Sequence, residues 1–248
     1  MRWAKLCAMD AWQSAVTLTT TVAGFAALAG LGVRGRLQRV RFFTLYLLLA
    51  SVYGSVVFLR PGLVVWRAWL IKELLLSLIA LVTALEIGVQ LFAARAGARP
   101  YAGRAVLLVT AATALFLGVN DPGPEVGAAV SISPGELWAF QQALGLLPRL
   151  AYGSAWLFAA LWVATQRFEI PVDPLREAIL LGFGVFSLLQ AVSLGLLSGP
   201  RYARLTSDVL TLAFLAVLLV WAWFAWRLEE PPDAPPEIVA RVWPHWRG

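Results

Sequence analysis

The chain has 248 residues, of which 60% are hydrophobic and 14% charged, and a formal charge of +6. A soluble protein of that composition would expose apolar patches large enough to aggregate, so the composition excludes a soluble globular domain and points to a bilayer. One cysteine, Cys7, excludes an internal disulfide or a cysteine-based metal cluster, and one histidine, His245, argues against bis-histidine haem, histidine-rich metal sites and Ser-His-Asp chemistry.

Apolar blocks of about the length needed to cross the ~30 Å hydrocarbon core recur along the chain. In order they are residues 11–33, 42–59, 69–92, 101–119, 146–164, 178–197 and 209–226. Short stretches of alternating polarity, the mark of a β-barrel, are lacking. The expectation is an all-α, polytopic transmembrane bundle of about seven helices over residues 1–228, followed by a Pro-rich cytoplasmic tail over 229–248. The first block is too long for the apolar core of a cleavable signal peptide and is expected to remain as a helix.

Within the first block, Ala23, Ala27 and Gly30 share one face, and Gly184, Ser187, Ala191 and Gly195 form a similar stripe in the sixth. Small residues in register let helix backbones approach, the main association device in lipid. The hydroxyls of Thr17, Thr19, Thr20 and Thr21 are expected to bond back onto their own helix. Between the first two blocks lie Arg34, Arg36, Arg39 and Arg41. This basic loop sets topology, and docking of anionic lipid or an acidic partner is the alternative. With the N-terminus outside, inner segments carry twelve basic residues and outer segments seven, which favours N-out and C-in. The same interspersed pattern reads as contact with lipid headgroups rather than with nucleic acid.

The fourth block is short and interrupted by Arg104. The fifth is expected to start early, because Ser133, Pro134 and Glu136 occupy N-cap, N1 and N3 positions, and to run on through Pro148, where it would kink. Asp173 and Pro174 give the sixth the same kind of start. Trp66, Trp69 and Trp138 fall at the outer membrane level, and Trp162, Trp221, Trp223 and Trp226 toward the inner one.

Four polar residues inside the blocks are candidate site residues. Glu86, with Gln90 one turn on along the same face, is an intramembrane acid, and such acids are functional candidates by default. Two readings stand: a polar site for a ligand headgroup or a proton, or a buried acid bonded to hydroxyls such as those of Tyr46 or Ser51. Glu73 and Arg149 are expected at matched depth in the outer third. There they would form a charge-assisted pair or line an outward pocket with Gln141 and Gln142. No residue pattern indicates a cofactor. A retinal protein is excluded, because the only lysines are Lys5 and Lys72 and the last block has none.

The run RLQRVRFFTLYLLLASVYGSVVFLRP, the following WLIKELLLSLIALVTALEIGVQLF with its glutamates Glu73 and Glu86, and the later ILLGFGVFSLL resemble a loosely defined group of bacterial seven-helix membrane proteins. That resemblance implies a bacterial inner-membrane location and no particular activity. In architecture the chain is also similar to the membrane input halves of bacterial sensor kinases, with no output domain expected after Trp226. The expected function is a non-catalytic membrane module, a sensory or accessory subunit of a larger membrane complex. Membrane lipids and a protein partner or second copy are its expected contacts. The alternative is a carrier for a lipid or small molecule with a polar site near Glu86.

Overall fold

Long apolar runs bounded by turn residues become helices in the computed structural model, which describes residues 11–60, 66–93, 134–167, 170, 172–196 and 203–227. Among the described residues there are six helices and no strand: α1 (Ala11–Val33), α2 (Arg41–Leu59), α3 (Trp66–Ala93), α4 (Pro134–Arg167), α5 (Pro174–Leu196) and α6 (Ala203–Trp226). The block at 101–119 and the tail at 229–248 lie outside the described residues.

Five stretches are long and apolar enough to cross a membrane: Ala11–Val33, Arg41–Leu59, Ala68–Leu91, Pro174–Ser193 and Asp208–Trp226. An all-helical fold with these stretches is compatible with a multi-pass membrane protein. Outward residues such as Val22, Phe25, Leu48, Leu78 and Leu219 are exposed, as hydrocarbon-facing side chains would be.

Local signals placed the helix ends well. The first block coincides with α1, and α5 begins where Asp173 caps it, its Oδ1 accepting a hydrogen bond from the Leu175 amide at 3.0 Å. Helix α4 starts at Pro134 and continues through Pro148 as one 34-residue helix. The hydroxyls of Thr19, Thr20 and Thr21 donate to the carbonyls of Ala15, Val16 and Thr17 at 2.7 to 2.8 Å.

Each helix packs on its successor in the order α1 to α3, then α4 to α6, with α3 against α4, and α6 returns to α1, closing a ring. Helices α1 and α2 are antiparallel and approach closely at Gly24 and Gly54, whereas Gly30 of the expected small stripe meets α6 instead. A Cβ on Gly24 would lie 2.2 Å from Ser51 Oγ, and one on Gly54 would lie 2.4 Å from Thr21 Oγ1. Ala23 and Ala27 of that stripe are buried.

The centre of the ring is aromatic. Phe43 and Tyr46 of α2, Phe158 of α4, Phe183 of α5 and Trp221 of α6 are all buried. Phe158 and Phe183 stack at 5.0 Å, Phe43 meets Trp221 edge-on at 4.9 Å, and Tyr46 meets Phe183 edge-on at 4.8 Å. Offset and edge-to-face contacts at these separations add attraction beyond area burial. Trp221 also donates its indole N–H to the Ala178 carbonyl at 2.9 Å. A Cβ on Gly182 would lie 2.5 Å from that nitrogen, so only glycine admits the ring here. This corrects the reading of Trp221 as an interfacial tryptophan. Its position near a span end fits a belt, but its face of α6 turns inward, and a carbonyl satisfies its N–H. Trp223, two residues on, is 70% exposed.

One end of the ring carries the loop between α1 and α2 and is termed basal. Helices α1, α3 and α6 finish there, since Gln90 and the last carbonyls of α6 bond to that loop. Helix α5 starts there, as the bond from Trp221 to Ala178 requires. Helix α4, which stacks on α5 at Phe158 and joins it through Ile170, also finishes there. Helices α3 and α4 therefore run in the same direction.

Candidate functional site

The basal loop is built from a glycine. Helix α1 ends as Gly35 takes φ +65, a left-handed conformation that costs glycine nothing. The Arg36 amide then donates to the Leu31 carbonyl at 2.8 Å and the Gly35 amide to the Gly32 carbonyl at 3.0 Å. That pair of bonds is a Schellman termination. It turns the Arg36 side chain inward, where only 5% of the residue is exposed. Its guanidinium donates to the carbonyls of Phe224 and Arg227 at 3.1 Å each, and Arg34 donates to the Trp226 carbonyl at 3.1 Å. Two cations thus close the C-terminus of α6, where orphan carbonyls and the helix dipole favour positive charge. Trp226 returns the contact by donating its N–H to the Ala26 carbonyl at 2.9 Å. Gly30 makes room, since a Cβ there would lie 2.8 Å from the Trp226 ring.

Helix α2 starts without a cap of its own. Its N-cap residue is Val40, which has no side-chain acceptor. Glu86 of α3 supplies one from across the loop: Oε1 accepts from the Arg41 amide and Oε2 from the Phe42 amide, both at 3.1 Å. A carboxylate against the first amides of a helix satisfies orphan donors and meets the positive end of the dipole. One turn on, Gln90 donates to the Arg39 carbonyl at 3.1 Å. The two residues share a face, as the spacing predicts, and clamp the loop to α3. The partners differ from expectation. Tyr46 points among the central rings, and Ser51 presses on Gly24 of α1, so neither hydroxyl serves Glu86. Glu86 also sits level with the first turn of α2, at the basal end rather than well inside the bundle.

The second predicted pair is rearranged. Glu73 takes Lys72, its chain neighbour, as its ion-pair partner, with side chains 19% and 16% exposed. The Lys72 ammonium also lies 4.8 Å from the centre of the Tyr53 ring on α2, within cation–π range. Arg149 is half-buried on α4, which packs beside α3 in the same direction, so both residues fall in the distal halves of neighbouring helices. The side chains of Gln141 and Gln142 lie outside the described residues.

The four candidates therefore divide into a basal group and a distal group. The basal group does the work of backbone capping, together with Arg34 and Arg36, which the sequence marked as topogenic or as a dock for anionic lipid or an acidic partner. A glycine followed by arginine just past a helix end is the signal that would have found Arg36. Compared with protein families, with curated proteins and with solved structures, the chain matches none.

Proposed function

We propose that the chain is a non-catalytic integral membrane module, a sensory or accessory subunit of a larger membrane complex in the cell membrane. The observation that carries this reading is the engagement of Glu86 and Gln90. The polar side chains best placed for an intramembrane site are occupied by backbone groups of the α1–α2 loop and the start of α2. The centre of the bundle supports it, because interlocked rings of Phe43, Phe158, Phe183 and Trp221 fill the space a carrier would need for a path. The position of Glu86 lends no support to a carrier site there.

The proposal includes seven crossings with the basal end in the cytoplasm. Because α3 and α4 both run toward the basal end, the chain between them returns to the distal end, which a crossing by residues 101–119 would supply. Orientation rests on Arg34, Arg36, Arg39, Arg41, Arg167, Arg176 and Arg227, all at or next to the basal helix ends. Purification of the tagged full chain from its native membrane, followed by mass spectrometry, tests the role. A protein partner at fixed stoichiometry is expected. A co-purifying small molecule that is lost with Glu86→Gln would overturn the reading in favour of a carrier. Impermeant cysteine labelling in intact cells tests orientation: a cysteine placed at residue 38 should stay unlabelled.

A further inference from the structure

The basal loop presents cations that its caps do not bury: Arg34, Arg39 and Arg41 are exposed. A guanidinium carries five N–H donors. Arg34 places one on the Trp226 carbonyl, and Arg41 places its Nε on the Gln38 carbonyl at 3.3 Å. Residues 30–42 hold four arginines and no acid. The carboxylate that α3 brings to the loop, Glu86, has both oxygens on the Arg41 and Phe42 amides. The loop is thus a positive surface beside an acid already spent on backbone.

The chain itself delivers acids to this surface. The described residues end at Arg227, whose carbonyl Arg36 holds, while Arg34 holds that of Trp226. The next residue therefore starts against the loop. Residues 228–240 carry Glu229, Glu230, Asp233 and Glu237 and no base. Glu229 is two residues past Arg227, so its Cα lies within about 7 Å of a residue already fixed on the loop. Pro231, Pro232, Pro235 and Pro236 fix φ and remove backbone donors, so the stretch cannot extend α6. The same prolines lower the entropy lost on docking. A tether this short also gives the acids an effective concentration of order millimolar at the loop, an advantage that an acidic segment of a separate protein lacks.

We propose that the basal loop is the docking surface for the chain's own acidic segment, residues 229–237, whose carboxylates lie across Arg34, Arg39 and Arg41. Docked, the segment withholds these arginines from anionic headgroups and acidic partners, either of which must displace it to bind. Exposed ion pairs are individually weak and screened by salt, so the contact is reversible, as a shield of this kind requires. The inference rests on charge complementarity and on where α6 ends, and is independent of the subunit role.

The test uses the full chain with Cys7→Ser, Gln38→Cys and Ala234→Cys, spin-labelled at both cysteines in phosphatidylcholine nanodiscs, with the distance between labels read by pulsed electron paramagnetic resonance. A short-distance population is expected at low salt. Neutralising the segment with Glu229→Gln, Glu230→Gln, Asp233→Asn and Glu237→Gln should shift the docking equilibrium roughly tenfold toward long distances, the combined worth of several exposed ion pairs. Those changes lie outside the helices, and the joint change Arg39→Gln with Arg41→Gln should act in the same direction from the other side. Raising the salt, or replacing half the lipid by phosphatidylglycerol, should also deplete the short population. A distance distribution unmoved by the neutralised segment would overturn the proposal. So would a short distance between two singly labelled chains, which assigns the face to a second copy. Phosphatidylglycerol retained through purification, with no short distance in any lipid, would assign the face to headgroups and overturn it likewise.

Discussion

The two ends of this bundle handle charge in different ways. At the basal end, Arg34, Arg36 and Glu86 are matched to backbone termini: two cations close the end of α6 and one carboxylate opens α2. At the distal end, Lys72 and Glu73 are matched to each other, with the Tyr53 ring beside them. The first arrangement ties α1, α2, α3 and α6 together through one loop. The second adds little long-range connection, because its two charges are neighbours in the chain. Charge placed on helix ends organises a bundle, whereas charge neutralised locally is merely tolerated in it.

Substitutions should reproduce that contrast as a gradient. Arg36→Ala removes a buried cation from two carbonyls and should cost the most, about 3 kcal/mol, read as a loss of stability to denaturant in detergent micelles. Arg36→Lys should recover only part of it, since a lysine cannot present the planar fork. Glu86→Ala uncaps α2 and should cost about 2 kcal/mol, while Glu86→Gln, which retains one acceptor, should cost about half as much and leave the fold intact. An equal or larger loss for the glutamine would show that charge, rather than hydrogen bonding, is what α2 needs.

Gly35→Ala forces a side chain into the left-handed region and should cost roughly 1 kcal/mol. Amide exchange should quicken over the last turn of α1 and the first of α2 together, since one loop serves both. At the distal end Lys72→Met should cost roughly 1 kcal/mol by stranding Glu73, and the double change Lys72→Met with Glu73→Gln should return most of it. A basal-sized loss at Lys72, with exchange quickening as far as α6, would erase the distinction between the two ends.

Much of the architecture was legible because it is local. The length of an apolar run, Asp173 before Pro174, the hydroxyls of Thr19 to Thr21 and the small face of Ala23 and Ala27 depend on residues within a turn or two. The same holds for Gln90 sharing a face with Glu86, a consequence of helical period alone. The basal loop was legible as basic. The use of its arginines was not, because the carbonyls that Arg36 meets belong to residues 188 and 191 positions away.

What the sequence by itself determined is that this chain is helical, apolar and punctuated at particular residues, since hydrophobic length and capping act through near neighbours. The tertiary structure decided which polar group meets which. Glu86 is one carboxylate among hydroxyls, amides and cations that could each satisfy it, and only the depth and rotation of α3 against α2 select the Arg41 and Phe42 amides. Trp221 and Trp223 are two residues apart and chemically alike, yet one is the centre of the core and the other faces outward. Rotation of α6 about its own axis settles that, and the rotation is set by Gly182, whose missing Cβ leaves room for the Trp221 ring beneath the Ala178 carbonyl.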